Sequence, residues 1–119
     1  MAKLQKKAHL AAIARTASGI PVHEPEDAAR AVLEPAICTK PAVTESDTAL
    51  VSLTPGLART YMTLVAGDDH VFAPGMSFTV EPILHLPGEG LGVKLGDTVE
   101  CTDDGPRSMT AMSHDLIVV

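Results

Sequence analysis

Four side chains in the second half of the sequence have the chemistry to hold a divalent cation: His70, Glu81, His85 and His114. Imidazole nitrogens and carboxylate oxygens are ordinary ligands for Zn²⁺ and similar ions. Their spacing argues against a shared site. Glu81 and His85 are four residues apart, but Pro82 forbids the helical turn that would put both on one face, and Pro87 limits a strand. Nucleophilic catalysis needs a base beside the nucleophile, and neither Ser52 nor Ser113 has one in sequence. Ser113 adjoins His114, and neighbours along a strand point to opposite faces. Cys38 has only Lys40 nearby to favour a thiolate, so it reads as an inert thiol. Asp68-Asp69 and Asp103-Asp104 are turn acids, preferred where a carboxylate bonds its own backbone. Gly88-Glu89-Gly90-Leu91-Gly92 lacks the strand-to-helix setting of a phosphate loop. Glu81 is left with two readings, a plain strand-end carboxylate or a solitary metal ligand.

Bulk composition narrows the classes. At 119 residues the chain is one domain, residues 1–119, and can bury roughly two-thirds of its unfolded surface. There is no Trp, and Tyr61, Phe72 and Phe78 are the aromatics, so aliphatic side chains must build the core. A net charge of -6 and a pI near 5.2 exclude the clustered bases of a nucleic-acid surface. No apolar run approaches ~18 residues, so no membrane span is expected. The basic start before Ala8 could suggest a secretion signal, but His9 and Arg15 interrupt its apolar stretch. Two cysteines, Cys38 and Cys101, cannot make a disulfide framework or a zinc knuckle. The expected setting is cytoplasmic.

These residues need elements to position them. Leu4, Ala8, Ala11 and Ala12 fall at helical spacing and predict a helix over 2–17, ending near Gly19. A second helix is expected from about Pro25, with Glu24, Glu26 and Asp27 at its positive end, stopping before Pro35. Residues 1–34 are thus helical, and 35–66 read as an irregular connection with one short strand at 49–53. Met76 to Val80 alternates with period two. Strands are expected at 77–80, 91–95, 98–102 and 116–119, the first three adjacent and antiparallel. Turns belong at 87–90 and 103–106. Met76, Phe78 and Val80 should face the helices, and Ser77, Thr79 and Glu81 the other side. Helices followed by antiparallel strands make an α+β fold.

The region 67–119 carries a more specific pattern. Gly67-Asp68-Asp69 and Phe72-Ala73-Pro74-Gly75-Met76-Ser77-Phe78-Thr79-Val80-Glu81-Pro82 resemble a signature of the peptidase M24 family, the creatinase, aminopeptidase P and methionine aminopeptidase group with the "pita-bread" fold. Gly92-Val93-Lys94-Leu95-Gly96-Asp97-Thr98-Val99 is similar to its "Val-Arg-Ile-Glu-Asp-Thr-Val" strand, and Thr102 to Thr110 to its "Thr-Glu-Asp-Gly…Leu-Thr" hairpin. Upstream, Glu26 to Glu34 is similar to the helix before the family's catalytic histidine. The resemblance implies half of a pita-bread-like fold.

It also implies a site of two divalent metals, Mn, Co or Zn, held by two Asp, one His and two Glu. That many anionic oxygens offset the four positive charges and acidify a bridging water. Glu81 matches the first glutamate. The second falls on Gly96, the histidine falls near Ser52, and no segment resembles the half that supplies both aspartates. In an alternative register, Arg15-Thr16-Ala17-Ser18-Gly19-Ile20-Pro21-Val22-His23-Glu24-Pro25 is similar to the family's "Arg-Thr-Gly-His-Gly-Ile-Gly…Val-His-Glu-Pro", which would make His23 a substrate-side residue. With four of five ligand positions missing, no metal cofactor is expected. The sequence points to a degenerate or truncated M24 C-terminal half-domain, inactive as this chain, whose parent chemistry is hydrolysis of Xaa-Pro or related C–N bonds. A non-catalytic interaction module and a metal-independent creatinase-like hydrolase are the alternatives. Half a curved sheet implies a homodimer or a missing half-domain as partner.

Overall fold

The computed structural model describes residues 1–37, 50–52, 68–86 and 89–117. The first helix, α1, spans Ala2–Ile13, shorter than the 2–17 expected. Arg15 and Thr16 turn back to the Ala12 and Ile13 carbonyls, and the Thr16 hydroxyl takes the Ile13 carbonyl as well, at 2.6 Å. These tighter bonds satisfy the last carbonyls and end the helix. Gly19, at φ 78°, then swings the chain into a short extended link. There Gly19 and Val22 donate to the Phe72 and His70 carbonyls, and Phe72 donates to Ile20.

The second helix, α2, spans Glu24–Ile37 and runs through Pro35, before which the sequence predicts its end. A proline this near the end costs one backbone bond, and the fully buried Ala29 and Leu33 hold the preceding turns in place. The central strand is also longer than 77–80. With it, five strands make one antiparallel sheet: β1 Leu50–Ser52, β2 Ser77–Leu86 (the central strand), β3 Leu91–Lys94, β4 Asp97–Thr102 and β5 Gly105–Ser108. β1 lies within the expected 49–53, and β5 closes a hairpin on the expected 103–106 turn.

The strands following β2 correct one expectation. β3 and β4 do not pair with each other; both pair with the same side of β2, β3 against 83–86 and β4 against 77–80. The register is continuous between them, so Leu95-Gly96 is a gap in one long ladder, opposite Glu81-Pro82. Pro82 has no N–H to give a ladder, and its carbonyl accepts the Gln5 side-chain amide of α1.

Both helices cover one face of this sheet. Ala8, Ala12, Ala29 and Leu33 pack on Val80, Leu84, Leu86 and Val99, while Val22, Phe72, Phe78 and Cys101 form a second cluster. Phe78 and Val80 are buried and Ser77, Thr79 and Glu81 only partly so, which is the alternation expected. Burial and the Asp103 carboxylate raise the pKa of the Cys101 thiol, keeping it neutral. The expected strand at 116–119 is absent where it is described: Leu116 and Ile117 lie in no strand and are 75% and 78% exposed. An apolar segment needs a neighbouring strand to pair with, and among the described residues no strand follows β5. Cys38, Tyr61, most of the 35–66 connection, and parts of the 87–90 turn and the terminal segment lie outside the described residues. Among the described residues, no helix is long and apolar enough to cross a membrane.

Candidate functional site

Glu81 lies mid-way along β2 with a strand on either side. Toward β1 its partner in the ladder is Ser52. Toward the other edge it faces Gly96, and a Cβ built on Gly96 would lie 3.2 Å from Glu81 Oε1 and 3.3 Å from its Cγ. Ser52 of β1, Glu81 of β2 and Gly96, in the gap between β3 and β4, therefore lie side by side on one rung. Glu81 is partly buried, and its carboxylate accepts from Lys94 Nζ at 2.8 Å. Both partners retain solvent, so this pair contributes at most about 1 kcal/mol. Chemically, the rung has one carboxylate, already neutralised by an ammonium.

The histidines considered with Glu81 are spoken for elsewhere. His70 is exposed and bonds Asp68 at 2.5 Å. His114 bonds Asp97 at 2.5 Å. His85 is in β2, its side chain outside the described set. His23 precedes α2 and bonds Asp27 Oδ2 at 2.7 Å, one turn on; that hydrogen bond and the charges around it raise its pKa against a smaller effect of desolvation. Ser113 Oγ bonds Asp115, not His114.

A polar cluster that sequence reasoning missed lies under α1. His9 and Asp97 are 0% and 2% exposed, and His9 Nε2 sits 3.0 Å from Asp97 Oδ2. His114 Nε2 reaches the same oxygen from the other side. Burial pushes the Asp97 pKa up, but hydrogen bonds and charges from His9 and His114 outweigh it and hold the carboxyl below its usual range. The available signal was faint: His9 falls one residue after Ala8 and so shares the buried stripe of α1, as does Gln5.

A profile of metallopeptidase family M24 matches residues 1–103. The chain belongs to family M24. Among its curated relatives, the "Probable dipeptidase PepE" of Mycobacterium bovis is 45% identical over 56 residues, 47% of this chain and 15% of that protein. The "Xaa-Pro dipeptidase" of Lactobacillus helveticus is 36% identical over 59 residues, 50% of this chain and 16% of that protein. Among solved structures, dipeptidase PepE from Mycobacterium ulcerans superposes with a TM-score of 0.82 at 27% identity, covering 99% of this chain and 30% of that one. The prolidase from Thermococcus sibiricus gives 0.82 at 22% identity, which shows the fold alone. The chain thus has half of the M24 pita-bread fold and spans less than a third of these relatives.

The residues present do not fit the two-metal centre that M24 membership implies. On the rung where sequence matching puts three of its ligands, Gly96 has no donor atom and Glu81 is paired with Lys94. A dinuclear site needs several anionic oxygens to offset its charge.

Proposed function

We propose that this chain is an M24 C-terminal half-domain whose family metal site is dismantled, and that it has no Xaa-Pro peptidase activity by itself. The observation that carries this reading is the Lys94 ammonium on Glu81, beside a glycine where the second carboxylate would stand. The Lys94 charge does locally what a metal would do, neutralising the carboxylate without activating a water. The parent chemistry is hydrolysis of Xaa-Pro or related dipeptides, a class supported by the names of the dipeptidase relatives.

The test is an assay on Xaa-Pro dipeptides with and without added Mn²⁺ or Co²⁺. No turnover is expected in either case, and Gly96→Glu alone should not restore it, because the other ligand positions remain unfilled. Metal-dependent turnover by the unmodified chain overturns the reading, and metal-free turnover would favour a creatinase-like hydrolase instead.

A second reading, an interaction module, is favoured by one specific feature. Met109, Met112, Leu116 and Ile117 are 61–78% exposed along a single segment after β5. Scattered exposed apolar residues are ordinary, but a contiguous group marks an interface. β5 itself, short and carrying Pro106 and Arg107, is a poor edge for strand pairing. On this reading the segment docks on a second copy or on a chain supplying the other half of the fold. Light scattering after gel filtration is expected to give about twice the 12.4 kDa chain mass for the homodimer. A strictly monomeric species at high concentration counts against self-association.

A further inference from the structure

We propose that His9, Asp97 and His114 form a mononuclear divalent-metal site of the two-histidine, one-carboxylate type, taking Zn²⁺ through the two Nε2 atoms and an Asp97 oxygen. Asp97 follows Gly96 and points to the opposite, helix-covered face, so this site owes nothing to the Ser52–Glu81–Gly96 rung. One ligand atom from each of the three residues lies within 4.8 Å of the other two. Two imidazoles and one carboxylate suit Zn²⁺, which commonly binds three such protein ligands and leaves a fourth position to water.

The buried hydrogen bonding around His9 gives the independent argument. His9 Nδ1 and Gln5 Oε1 are both fully buried and both without a partner, one turn apart on the same stripe of α1. Each such orphan costs free energy. If His9 holds its proton on Nε2 to meet Asp97, Nδ1 is left as a buried acceptor with no donor. If the proton is on Nδ1, it becomes a donor one turn from the Gln5 acceptor, but the Nε2 lone pair then faces the Asp97 carboxylate at 3.0 Å. A cation between Nε2 and the carboxylate resolves the second arrangement. It fixes the tautomer with the proton on Nδ1, the form in which metal-bound histidines usually donate to an oxygen; Gln5 Oε1, itself without a partner, would have to move into reach to accept it.

Space and access are consistent with this. Ligand atoms around tetrahedral zinc are ~3.3 Å apart, given bonds of ~2.0–2.1 Å. The present spacings to Asp97 Oδ2 are 3.0 Å and 2.5 Å, so His114 must draw back by several tenths of an ångström. It can, because it lies on a segment outside any regular element. His114 also borders an open cavity of about 310 Å³, lined with Lys3, Lys6 and Asp115, from which a water could reach the metal. The sequence-based expectation of no metal rested on Glu81 and did not include His9 or Asp97.

The rival is a cation made by protonation alone: a doubly protonated His9 satisfies the same two partners without metal. The tag-free chain, stripped with EDTA and dialysed, is titrated with Co²⁺ as a spectroscopic probe and with Zn²⁺ by calorimetry. One equivalent of each is expected, with visible Co²⁺ bands of low coordination number. His114→Ala should weaken Zn²⁺ binding by at least about 100-fold, beyond the usual loss for an outer-shell partner. Its melting curve in EDTA shows whether it is folded, and Asp97→Asn serves as the second variant. His23→Ala and His70→Ala, which remove the exposed His–Asp pairs, should leave binding unchanged. Absence of stoichiometric binding, or binding that survives His114→Ala and Asp97→Asn but is lost with His23 or His70, overturns the site.

Discussion

Replacing Phe78 with alanine is expected to destabilise the chain by about 3–5 kcal/mol, the usual cost of truncating a buried Phe. The ring is 4% exposed in the middle of the second core cluster. It meets Phe72 edge to face with centroids 4.9 Å apart, a geometry that adds to the area term. Two aromatics carry this cluster, so truncation leaves a cavity that Val22 and Cys101 are too small to fill. Against a total stability of about 5–15 kcal/mol the loss is large, and it should lower the melting temperature by about 10 °C or more. Thr79→Ala, on the opposite face of the same strand, is the control and should change stability by about 1 kcal/mol or less. Calorimetric melts that move equally for both variants would show that β2 does not divide the core from the partly exposed face.

Asp97→Ala, measured in EDTA, should cost about 1–3 kcal/mol, the penalty of leaving a buried hydrogen-bonding group without its partner. His9 is fully buried and keeps no other hydrogen-bond partner, so its ring nitrogens would be left unpaired beneath α1. His114→Ala should cost less, because its ring is 21% exposed and water can replace the lost contact. The pH dependence has a defined sign. The folded Asp97 pKa is below its unfolded value, so in that window the unfolded chain binds more protons and stability rises with pH. The contribution is complete above about pH 4, near the unfolded carboxyl pKa, and is lost as pH falls through the folded value. Urea melts between about pH 5 and 2 should show wild type losing this increment and Asp97→Ala having none to lose. Equal slopes for the two proteins would mean Asp97 is not held in its charged form by the histidines.

Much of this arrangement was legible in local chemistry. The period-two run through Phe78 and Val80 needs only the pleat of a strand to set its faces, and Asp103-Asp104-Gly105 specifies its own turn. Misreadings came where tertiary contacts overrode a local rule. Pro82 was read as the end of a strand, yet β2 continues because the ladder opposite it is already broken at Leu95-Gly96 and Gln5 takes its carbonyl. Pro35 predicts a stop, yet α2 continues to Ile37 with Ala29 and Leu33 buried before it. Leu116 and Ile117 look like a strand because they are apolar, but a strand exists only beside a partner. The His9–Asp97–His114 cluster was least visible, since its members are 88 and 17 residues apart and no spacing rule joins them.

The long reach of α1 also bears on how the chain is made. Its two buried polar residues are tied to positions 77 and 88 residues later, at Pro82 and Asp97. Closing a loop of that length costs about 4 kcal/mol in chain entropy before any constant contribution. At elongation rates of about 5–20 residues per second, roughly 4–18 s separate the synthesis of His9 from that of Asp97. Through that interval the first helix has Ala29 and Leu33 of α2, and later Val80, Leu84 and Leu86 of β2, to pack on, but His9 has no partner. The buried polar contacts of α1 are therefore complete only once β4 is available. Any nascent chain shorter than that is the species on which chaperones and proteases would compete.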